Sequence, residues 1–512
     1  MNNKFTNKII YQIYPKSFLD TTGSGIGDIN GVIKKLDYLK DLGVDYLWLS
    51  PICLSPQNDN GYDIADYYHI DPIFGSDEDY FELIKEAKKR NIKIMLDLVL
   101  NHTSSEHEWF KRALKGEKKY QDYYIWSDTP NNLMSAFGNS AWTFSKEVGK
   151  YYLHLFDQTQ PDLNWENQEV KEEIFKMINY WMDKGIEGFR LDVIDLIGKE
   201  PEKEVTVGGK NFHKLLKELR DNTFQDKVLT VGECWGSNPT SASKMTGING
   251  MTQIFHFEHI NWMYPKWVAD KLTTDQLANL TYKWQNQYDG IETLVWNNHD
   301  LPRQVSHLLN DKEYREICCK LLFAYNVFLS GNIYIYQGEE IGMTNINFED
   351  INDYNDIETR NKYTELLDTG LSHSEAINII KGISRDNART PMQWNDNINA
   401  GFSNCKPWLK INQNYKVINV EENLSDEKSI FNFYKELIKY RKNNSDLINS
   451  KLDFIVEKDG VIEYKKNFIK VFANFTKEEK TIKENGKVIF SNYEENIVTK
   501  LLPYQIKIIK DV

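Results

Sequence analysis

Residues 170–193 read VKEEIFKMINYWMDKGIEGFRLDV, and this stretch decides the fold class. Apolar side chains recur at helical spacing from Val170 to Lys184. The run from Ile186 to Val193 is rich in apolar residues and predicts a strand. Helices that alternate with short apolar strands are typical of a parallel sheet with helices packed outside it.

The same alternation extends in both directions along the chain. The strand-like runs are Ile9–Tyr14, Val44–Leu49, Ile92–Leu100, Ile186–Val193, Val228–Gly232, Gln253–Phe257, Thr293–Trp296 and Ile333–Tyr336. The helical runs are Gly31–Leu42, Phe81–Lys89, Val170–Lys184, Phe212–Asp221, Asp275–Gln287, Lys312–Phe328 and Ser429–Asn443. Eight such units predict an α/β chain folded as a (β/α)₈ TIM barrel.

Two regions depart from this pattern and predict further units. Residues 103–168 are rich in Trp, Tyr, Asn, Ser and Gly, which indicates a subdomain inserted after strand three. Residues 448–512 hold short β-rich runs joined by turns, which predicts a C-terminal antiparallel β domain. We therefore assign residues 1–102 and 169–447 to the barrel, with a polar insertion at roughly 340–425.

Charged residues end four of the predicted strands. The third continues from Asp97 to Asn101 and His102, the fourth ends in Arg190 and Asp192, the fifth in Glu233, and the seventh in Asn298-His299-Asp300. A charge after an apolar strand is costly unless it is paired or used. Active sites of barrel enzymes lie at the carboxyl ends of the strands, so these residues predict a site there.

The three carboxylates Asp192, Glu233 and Asp300 point to glycoside hydrolysis, which needs two carboxyl groups flanking the scissile bond. Arg190 lies two residues before Asp192 on the strand, so both side chains face the same way and the guanidinium favours an ionised nucleophile. A partly apolar environment would keep Glu233 protonated as the acid. His102 and His299 are candidates for hydrogen bonds to sugar hydroxyls.

Six segments in order resemble the α-amylase superfamily, glycoside hydrolase family thirteen. They are Asp97-Leu-Val-Leu-Asn-His102, Gln160-Pro-Asp-Leu-Asn-Trp165, Gly188-Phe-Arg-Leu-Asp192, Gly232-Glu233, Asn298-His-Asp300 and Gly338-Glu-Glu-Ile-Gly342. The resemblance implies that Asp192 is the nucleophile, Glu233 the general acid/base and Asp300 a transition-state stabiliser. It also implies a retaining α-glycosidase without an organic cofactor.

A narrower resemblance is to the oligo-1,6-glucosidase branch, most of all to its glucan 1,6-α-glucosidases. It is carried by Asn60-Gly-Tyr-Asp63 and by the segment from Ser384 to Trp394. The resemblance implies that Asp63 and Arg385 clamp the terminal glucose, which dictates exo action. It also implies that a Val directly after the nucleophile, here Val193, is associated with specificity for α-1,6 linkages.

The resemblance suggests further sugar-binding residues in the same pocket. Lys266 and Glu358 match residues that flank the entrance in the branch. Tyr62, Phe144 and Trp235 are expected beside a glucose ring. The branch therefore implies cleavage of short α-1,6-linked gluco-oligosaccharides such as isomaltose, isomaltotriose and panose.

A calcium loop of the family is altered in this chain. Its candidate ligands are Asp20, Thr22, Ser24, Ile26 and Asp28, of which only the first and last are carboxylates. Calcium affinity falls with fewer charged ligands. We expect weak occupancy or none.

Composition excludes several classes of partner. The chain has 512 residues, with 62 Lys and Arg against 75 Asp and Glu, a net charge of −13. This balance argues against nucleic-acid and anionic-membrane binding. Five cysteines without a CxxC motif, and a start without an apolar leader, predict a cytoplasmic protein. We expect a monomer whose partner is a small neutral oligosaccharide.

Alternative functions remain on the same fold. Tyr14-Pro-Lys-Ser-Phe18 and Leu155-Phe-Asp-Gln-Thr-Gln160 resemble trehalose-6-phosphate hydrolases, although no cation cluster for a phosphate is evident. An α-1,4-glucosidase and a sucrose-acting transglycosylase or isomerase are lesser alternatives. A non-catalytic interaction protein is disfavoured because all three carboxylates are retained.

Overall fold

The computed structural model describes residues 3–260, 267, 273–494 and 497–511. At its centre lies a parallel eight-stranded sheet. Its strands are β1 (Ile9–Ile13), β2 (Tyr46–Leu49), β3 (Lys93–Val99), β4 (Gly188–Asp192), β5 (Leu229–Glu233), β6 (Gln253–Phe255), β7 (Thr293–Leu294) and β8 (Asn332–Tyr336). Each lies within or overlaps one of the predicted runs.

The strands follow one another in the order β6-β5-β4-β3-β2-β1-β8-β7. Strand β1 pairs with β2 through Ile10 and Tyr46 and with β8 through Ile9 and Ile333. The two ends of this order also meet, since the Thr293 hydroxyl on β7 donates to the Ile254 carbonyl on β6 at 3.0 Å. The sheet is therefore a nearly closed barrel, which confirms the predicted TIM-barrel fold.

Helices surround the barrel. The main ones are Leu36–Leu42, Asp77–Lys89, Gln168–Asp183, Phe212–Asn222, Pro239–Met245, Thr274–Gln287, Arg315–Val327 and Ile430–Asn443. The helix Gln168–Asp183 buries Val170, Ile174, Met177 and Trp181 on one face, as its apolar spacing predicts. Burial of each such side chain stabilises the fold by about 1.5–3 kcal/mol.

Several helical regions were absent from the prediction, among them one after β5 and one in the polar insertion. The helix Pro239–Met245 follows β5 and has only seven residues, mostly small or polar, so it carries little apolar periodicity. Its first turn is instead specified by Asn238, whose side chain accepts from the Thr240 and Ser241 amides. The polar insertion contains the helices Ile357–Asp368 and His373–Ile380.

Smaller sheets flank the barrel. Between β3 and β4, the strands Trp126–Ser127, Trp142–Ser145 and Lys150–Leu153 form a three-stranded antiparallel sheet. The C-terminal region forms a five-stranded antiparallel sheet, as predicted. Its strands are Phe454–Lys458, Val461–Lys466, Ile469–Asn474, Ile506–Lys510 and Lys487–Ser491. Within the described part of the chain, no helix is long and apolar enough to cross a bilayer.

Candidate active site

A cavity of about 470 Å³ opens where the barrel strands end. Asp192 is the last residue of β4, Glu233 is the last residue of β5, and Asp300 follows β7 in the chain. All three line the cavity, together with side chains from the inserted segment and from the 340–425 region. The structure therefore brings together the three carboxylates that the sequence singles out.

One buried guanidinium holds the first carboxyl cluster together. Arg190 Nη1 contacts Asp97 Oδ1 at 2.8 Å and Asp192 Oδ1 at 2.6 Å, while Nη2 contacts Glu233 Oε2 at 2.5 Å. The backbone amide of Val193 donates to the same Glu233 oxygen at 3.2 Å. We call Arg190, Asp97, Asp192 and Glu233 the Arg190 cluster.

The charge of this cluster is unbalanced. Burial raises the pKa of Asp192 well above its usual range, and Arg190 acts in the opposite direction. Burial also raises the pKa of Asp97. One guanidinium faces three carboxyl groups away from water, which favours a proton within the cluster.

A second cluster surrounds Asp300. Its Oδ1 lies 3.2 Å from Arg385 Nη1 and 2.8 Å from Arg389 Nη2. Arg385 Nε also binds Asp356 Oδ1 at 2.9 Å, and its Nη2 lies 3.5 Å from Asp59 Oδ1. We call Arg385, Arg389, Asp300, Asp356 and Asp59 the Arg385 cluster.

Charges decide the ionisation of Asp300. Burial alone would raise its pKa, but His299, Arg385 and Arg389 outweigh burial and hold the pKa of Asp300 far below its usual range. The same two guanidinium groups lower the pKa of Asp356 against the effect of burial. Asp300 is therefore a fixed negative charge on the cavity wall.

His299 supports the site from behind the cavity wall. Gln12 donates to its Nδ1 at 2.8 Å, which leaves the proton on Nε2, 3.1 Å from Asp300 Oδ2. Burial lowers the pKa of His299 to about 3, so the ring is neutral. Tyr62 stacks on this ring with centroids 5.2 Å apart and donates its hydroxyl to Asp97 at 3.0 Å.

Comparison with known proteins places this arrangement in a family. The family model "Alpha amylase, catalytic domain" matches residues 12–450. The chain belongs to the alpha-amylase family. It is 47% identical to a glucan 1,6-alpha-glucosidase of Streptococcus pneumoniae, with 98% of this chain and 96% of the relative covered.

Further relatives agree with this assignment. An oligo-1,6-glucosidase of Bacillus cereus is 44% identical, with 92% of this chain and 90% of the relative covered. The solved trehalose-6-phosphate hydrolase of Bacillus licheniformis superposes with a TM-score of 0.92 at 41% identity, with 98% of each chain covered. This alpha-amylase family member is a glycoside hydrolase of the alpha-glucosidase type.

The structure corrects the predicted partner of Arg385. Asp63 does not line the cavity; it is fully buried and accepts from the Ser55 hydroxyl and from the amides of Asn58 and Asp59. Its carboxylate therefore holds its own loop in shape. Asp59, which the prediction did not include, lines the cavity beside Arg385 instead.

Phe144 is not among the residues that line the cavity. It lies on the strand Trp142–Ser145 with 49% of its surface exposed, and its ring packs on Tyr151. Two other aromatic residues from the inserted region line the cavity, Phe137 and Phe156. The inserted region thus supplies aromatic rings to this family member's site, but from its loops.

Several other predicted residues line the cavity or lie beneath its wall. Tyr62, His102, Val193, Trp235 and Glu358 all line the cavity. Glu358 Oε2 lies 3.4 Å from Arg385 Nε, so it joins the Arg385 cluster. Arg190 and His299 are buried beneath the wall, in contact with its carboxylates. Lys266 lies outside the described residues.

Val193 and Trp235 position Glu233. Val193 has φ 36° and ψ 44°, a left-handed conformation that is rare for a β-branched residue and costs roughly 1–3 kcal/mol. This backbone geometry aims its amide at Glu233 Oε2. The Trp235 indole donates to Glu233 Oε1 at 2.7 Å and stacks on Phe257 with centroids 4.0 Å apart.

The candidate calcium loop satisfies its own carboxylates. Asp20 accepts hydrogen bonds from the amides of Thr22, Gly23 and Gly25 and from the Ser403 hydroxyl. Asp28 accepts from the Thr21 amide and hydroxyl and from the Gly31 amide. The Ser24 hydroxyl donates to the Ile26 carbonyl at 3.1 Å. Several of the carboxylate lone pairs in this loop are therefore occupied by protein donors.

Some cavity residues were missed by the sequence analysis. Asp59, Asp195 and Trp267 line the cavity, and Arg389 and Asp356 hold its charged end. Arg389 lies in the Ser384–Trp394 motif, so that motif carried a usable signal. Asp195 lies three residues after Asp192, in the loop that leaves β4.

Proposed function

We propose that this chain is a retaining, exo-acting α-glucosidase that releases glucose from the non-reducing end of short α-1,6-linked gluco-oligosaccharides. Isomaltose, isomaltotriose and panose are the substrates expected. The proposal refines the alpha-glucosidase assignment in its linkage, its direction of attack and its mechanism.

The observation that carries the proposal is the charge of the cavity wall. Among the described lining residues, six carboxyl groups stand against one guanidinium, that of Arg385. That guanidinium is already shared with Asp59, Asp300, Asp356 and Glu358. Such a wall repels anionic substrates and offers many acceptors to sugar hydroxyls, which favours a neutral oligosaccharide.

The Arg385 cluster supports exo action. Arg385 and Asp59 form a charged pair beside Asp300 on the cavity wall, and Phe137 lies over the Arg385 guanidinium at 5.2 Å. A terminal glucose would fill the space beside this pair, leaving no path for a longer chain to continue. Only the bond of a chain-terminal residue would then reach the carboxylates.

The Arg190 cluster supports a double displacement. Neighbouring nitrogens of one guanidinium hold Asp192 and Glu233 side by side, which fits the spacing of about 5–5.5 Å in retaining enzymes. Glu233 would protonate the glycosidic oxygen while an Asp192 oxygen bonds to C1 and the aglycone departs. Water, deprotonated by Glu233, would then attack C1 and release both glucose and the Asp192 carboxylate.

Val193 supports the α-1,6 linkage. Its side chain lines the cavity directly after Asp192, where an apolar group removes a hydrogen-bonding partner beside the leaving sugar. The relatives named for 1,6-glucosides support the same linkage. No metal is needed in either displacement, because the carboxyl groups supply the nucleophile and the proton.

A substrate panel tests the proposal. Purified enzyme is incubated with isomaltose, isomaltotriose, panose, maltose, sucrose, trehalose and trehalose 6-phosphate, and released glucose is measured. We expect the α-1,6-linked sugars to give the highest kcat/KM. The Asp192→Ala variant, purified in parallel, controls for contaminating glucosidases.

A trehalose-6-phosphate hydrolase is the second candidate, favoured by the close superposition on such an enzyme. It requires cations near the aglycone, and of the described lining residues only Arg385 is one. Exclusive turnover of trehalose 6-phosphate in the panel would replace the first proposal with this one.

A further inference from the structure

One carboxyl group of the cavity has no place in the mechanism above. Asp195 lies in the short 3₁₀ turn Ile194–Leu196, directly after the left-handed residue Val193. It lines the cavity, yet only 6% of its surface is exposed. A carboxyl buried to this extent is costly unless a partner compensates it.

The protein supplies little compensation. Across the described ranges, no Lys, Arg or His side chain forms an ion pair with Asp195, in contrast to every carboxylate of the two Arg clusters. Burial raises the pKa of Asp195 to about 7, and the neighbouring Glu233 acts in the same direction. Among the described residues, its own backbone amide is the one group that lowers this pKa and so favours the charged form. The carboxyl is therefore available to a ligand in the cavity.

The position of Asp195 indicates which part of a ligand it meets. Its neighbours along the wall are Leu196 and Val193, and the Val193 amide donates to Glu233 Oε2 at 3.2 Å. Glu233 must reach the glycosidic oxygen to protonate it. Groups that lie beside Glu233, and apart from the Asp59 and Arg385 pair, therefore face the leaving sugar.

We propose that Asp195 is a specificity-determining residue that accepts a hydrogen bond from a hydroxyl of the leaving glucose and disfavours an anionic leaving group. This inference rests on the proposed function, since it assigns a contact to the leaving glucose of the proposed substrate. A hydroxyl would satisfy the buried carboxyl, whereas a second negative charge would be left unpaired beside it.

The test compares leaving groups with and without hydroxyls. In the Asp195→Ala variant we expect kcat/KM for isomaltose to fall about tenfold, and that for p-nitrophenyl α-glucoside to change less than about twofold. The second substrate pair is isomaltose and its oxidised analogue, glucosyl-α-1,6-gluconate. In the Asp195→Asn variant we expect the ratio of kcat/KM for isomaltose to kcat/KM for the gluconate to fall several-fold.

The Glu202→Ala variant is the matched control, because Glu202 lies in the same loop but is exposed and does not line the cavity. Equal losses on isomaltose and p-nitrophenyl α-glucoside in Asp195→Ala would mark a structural role and overturn the inference. So would unchanged kinetics, or an unchanged gluconate preference in Asp195→Asn. Failure of the wild-type enzyme to cleave isomaltose would instead overturn the proposed function.

Discussion

The two arginine clusters of the cavity hold Asp192 and Asp300 in opposite ways. In the Arg190 cluster, one guanidinium serves three carboxyl groups, and burial raises the pKa of Asp192 and Asp97. In the Arg385 cluster, two guanidinium groups converge on Asp300 and lower its pKa. Similar residue types thus favour a bound proton in the Arg190 cluster and an ionised carboxylate at Asp300.

The difference shows how one cavity can support both acid/base chemistry and the stabilisation of positive charge. Acid/base chemistry needs a group that exchanges a proton near the working pH, and three buried carboxyl groups that share one guanidinium favour this exchange. Stabilisation of positive charge in the transition state needs a carboxylate that stays ionised, and the two guanidinium groups that contact Asp300 Oδ1 provide that. The number of guanidinium groups that contact the carboxyl therefore distinguishes Asp300, with two, from Asp192, with one.

The largest expected effect comes from removing the proposed nucleophile from the Arg190 cluster. In the Asp192→Ala variant, kcat/KM for isomaltose should fall by about 10⁴-fold or more, because no covalent intermediate forms. Glucose release measures this, with circular dichroism to confirm folding. Turnover within tenfold of the wild type would show that Asp192 is not the nucleophile.

A smaller effect should separate the two clusters. Lysine cannot contact several carboxyl groups as a guanidinium does. Arg190→Lys should lower kcat by about 10²–10³-fold and shift the pH profile, because the shared proton moves. Arg385→Lys should mainly raise KM for isomaltose, by about tenfold, and leave the pH profile in place, because Arg389 still holds Asp300.

Arg360→Lys serves as the control, since Arg360 is exposed on the helix Ile357–Asp368 and does not line the cavity. Full pH–rate profiles of kcat and kcat/KM distinguish the two active-site variants. The same pH shift in both would mean that the clusters are not electrically distinct, and the comparison above would fail.

The sequence predicts the clusters unevenly. Asp192, Glu233 and Asp300 were found because a charge after an apolar strand is a local signal with one structural explanation. Asp59 and Asp63 carry no such signal, since both flank the same turn. The backbone conformation of the turn distinguishes them. Asn60 and Gly61 have φ of 51° and 104°, and with this turn Asp59 lines the cavity whereas Asp63 is buried in the loop.

The inserted region was harder still to interpret. Phe144 lies on a strand of its small sheet, whereas Phe137 lies in an irregular loop that reaches the cavity. Without periodicity, sequence cannot state which aromatic ring a loop presents. Long-range pairs such as Arg385 with Asp356 and Asp59 likewise depend on how the barrel loops converge.

A third kind of buried titratable group carries no charge at all. Burial lowers the pKa of His256 to about 3, and its ring stacks on Trp284 with centroids 3.6 Å apart. Because the unfolded chain binds this proton at about pH 6.5, stability from the neutral ring is complete above that pH and is lost as the pH falls towards 3.

The stability of wild type and His256→Gln is therefore compared by urea unfolding at pH 7 and pH 5. The decrease in the free energy of unfolding from pH 7 to pH 5 should be about 2 kcal/mol smaller in the variant than in the wild type. His213→Gln, at an exposed helix position, should behave like the wild type. An equal loss in His256→Gln and wild type would mean that His256 titrates normally in the folded protein.

The smallest effect is expected at the Asp20 loop, where backbone amides rather than cations balance the carboxylate. Asp20 accepts from the amides of Thr22, Gly23 and Gly25, so a calcium ion would compete with these donors for the Asp20 oxygens. Adding 1 mM CaCl₂ to chelated enzyme should raise the unfolding temperature by no more than about 1 °C.

Calorimetric titration gives the complementary measurement on the same chelated sample. A site with a Kd near 1 μM would stabilise the protein by about 4 kcal/mol at that calcium concentration, which a thermal scan detects readily. Such a result would mean that the Asp20 loop rearranges around the ion. The Asp20 carboxylate would then resemble that of Asp300, because a cation would stabilise its negative charge.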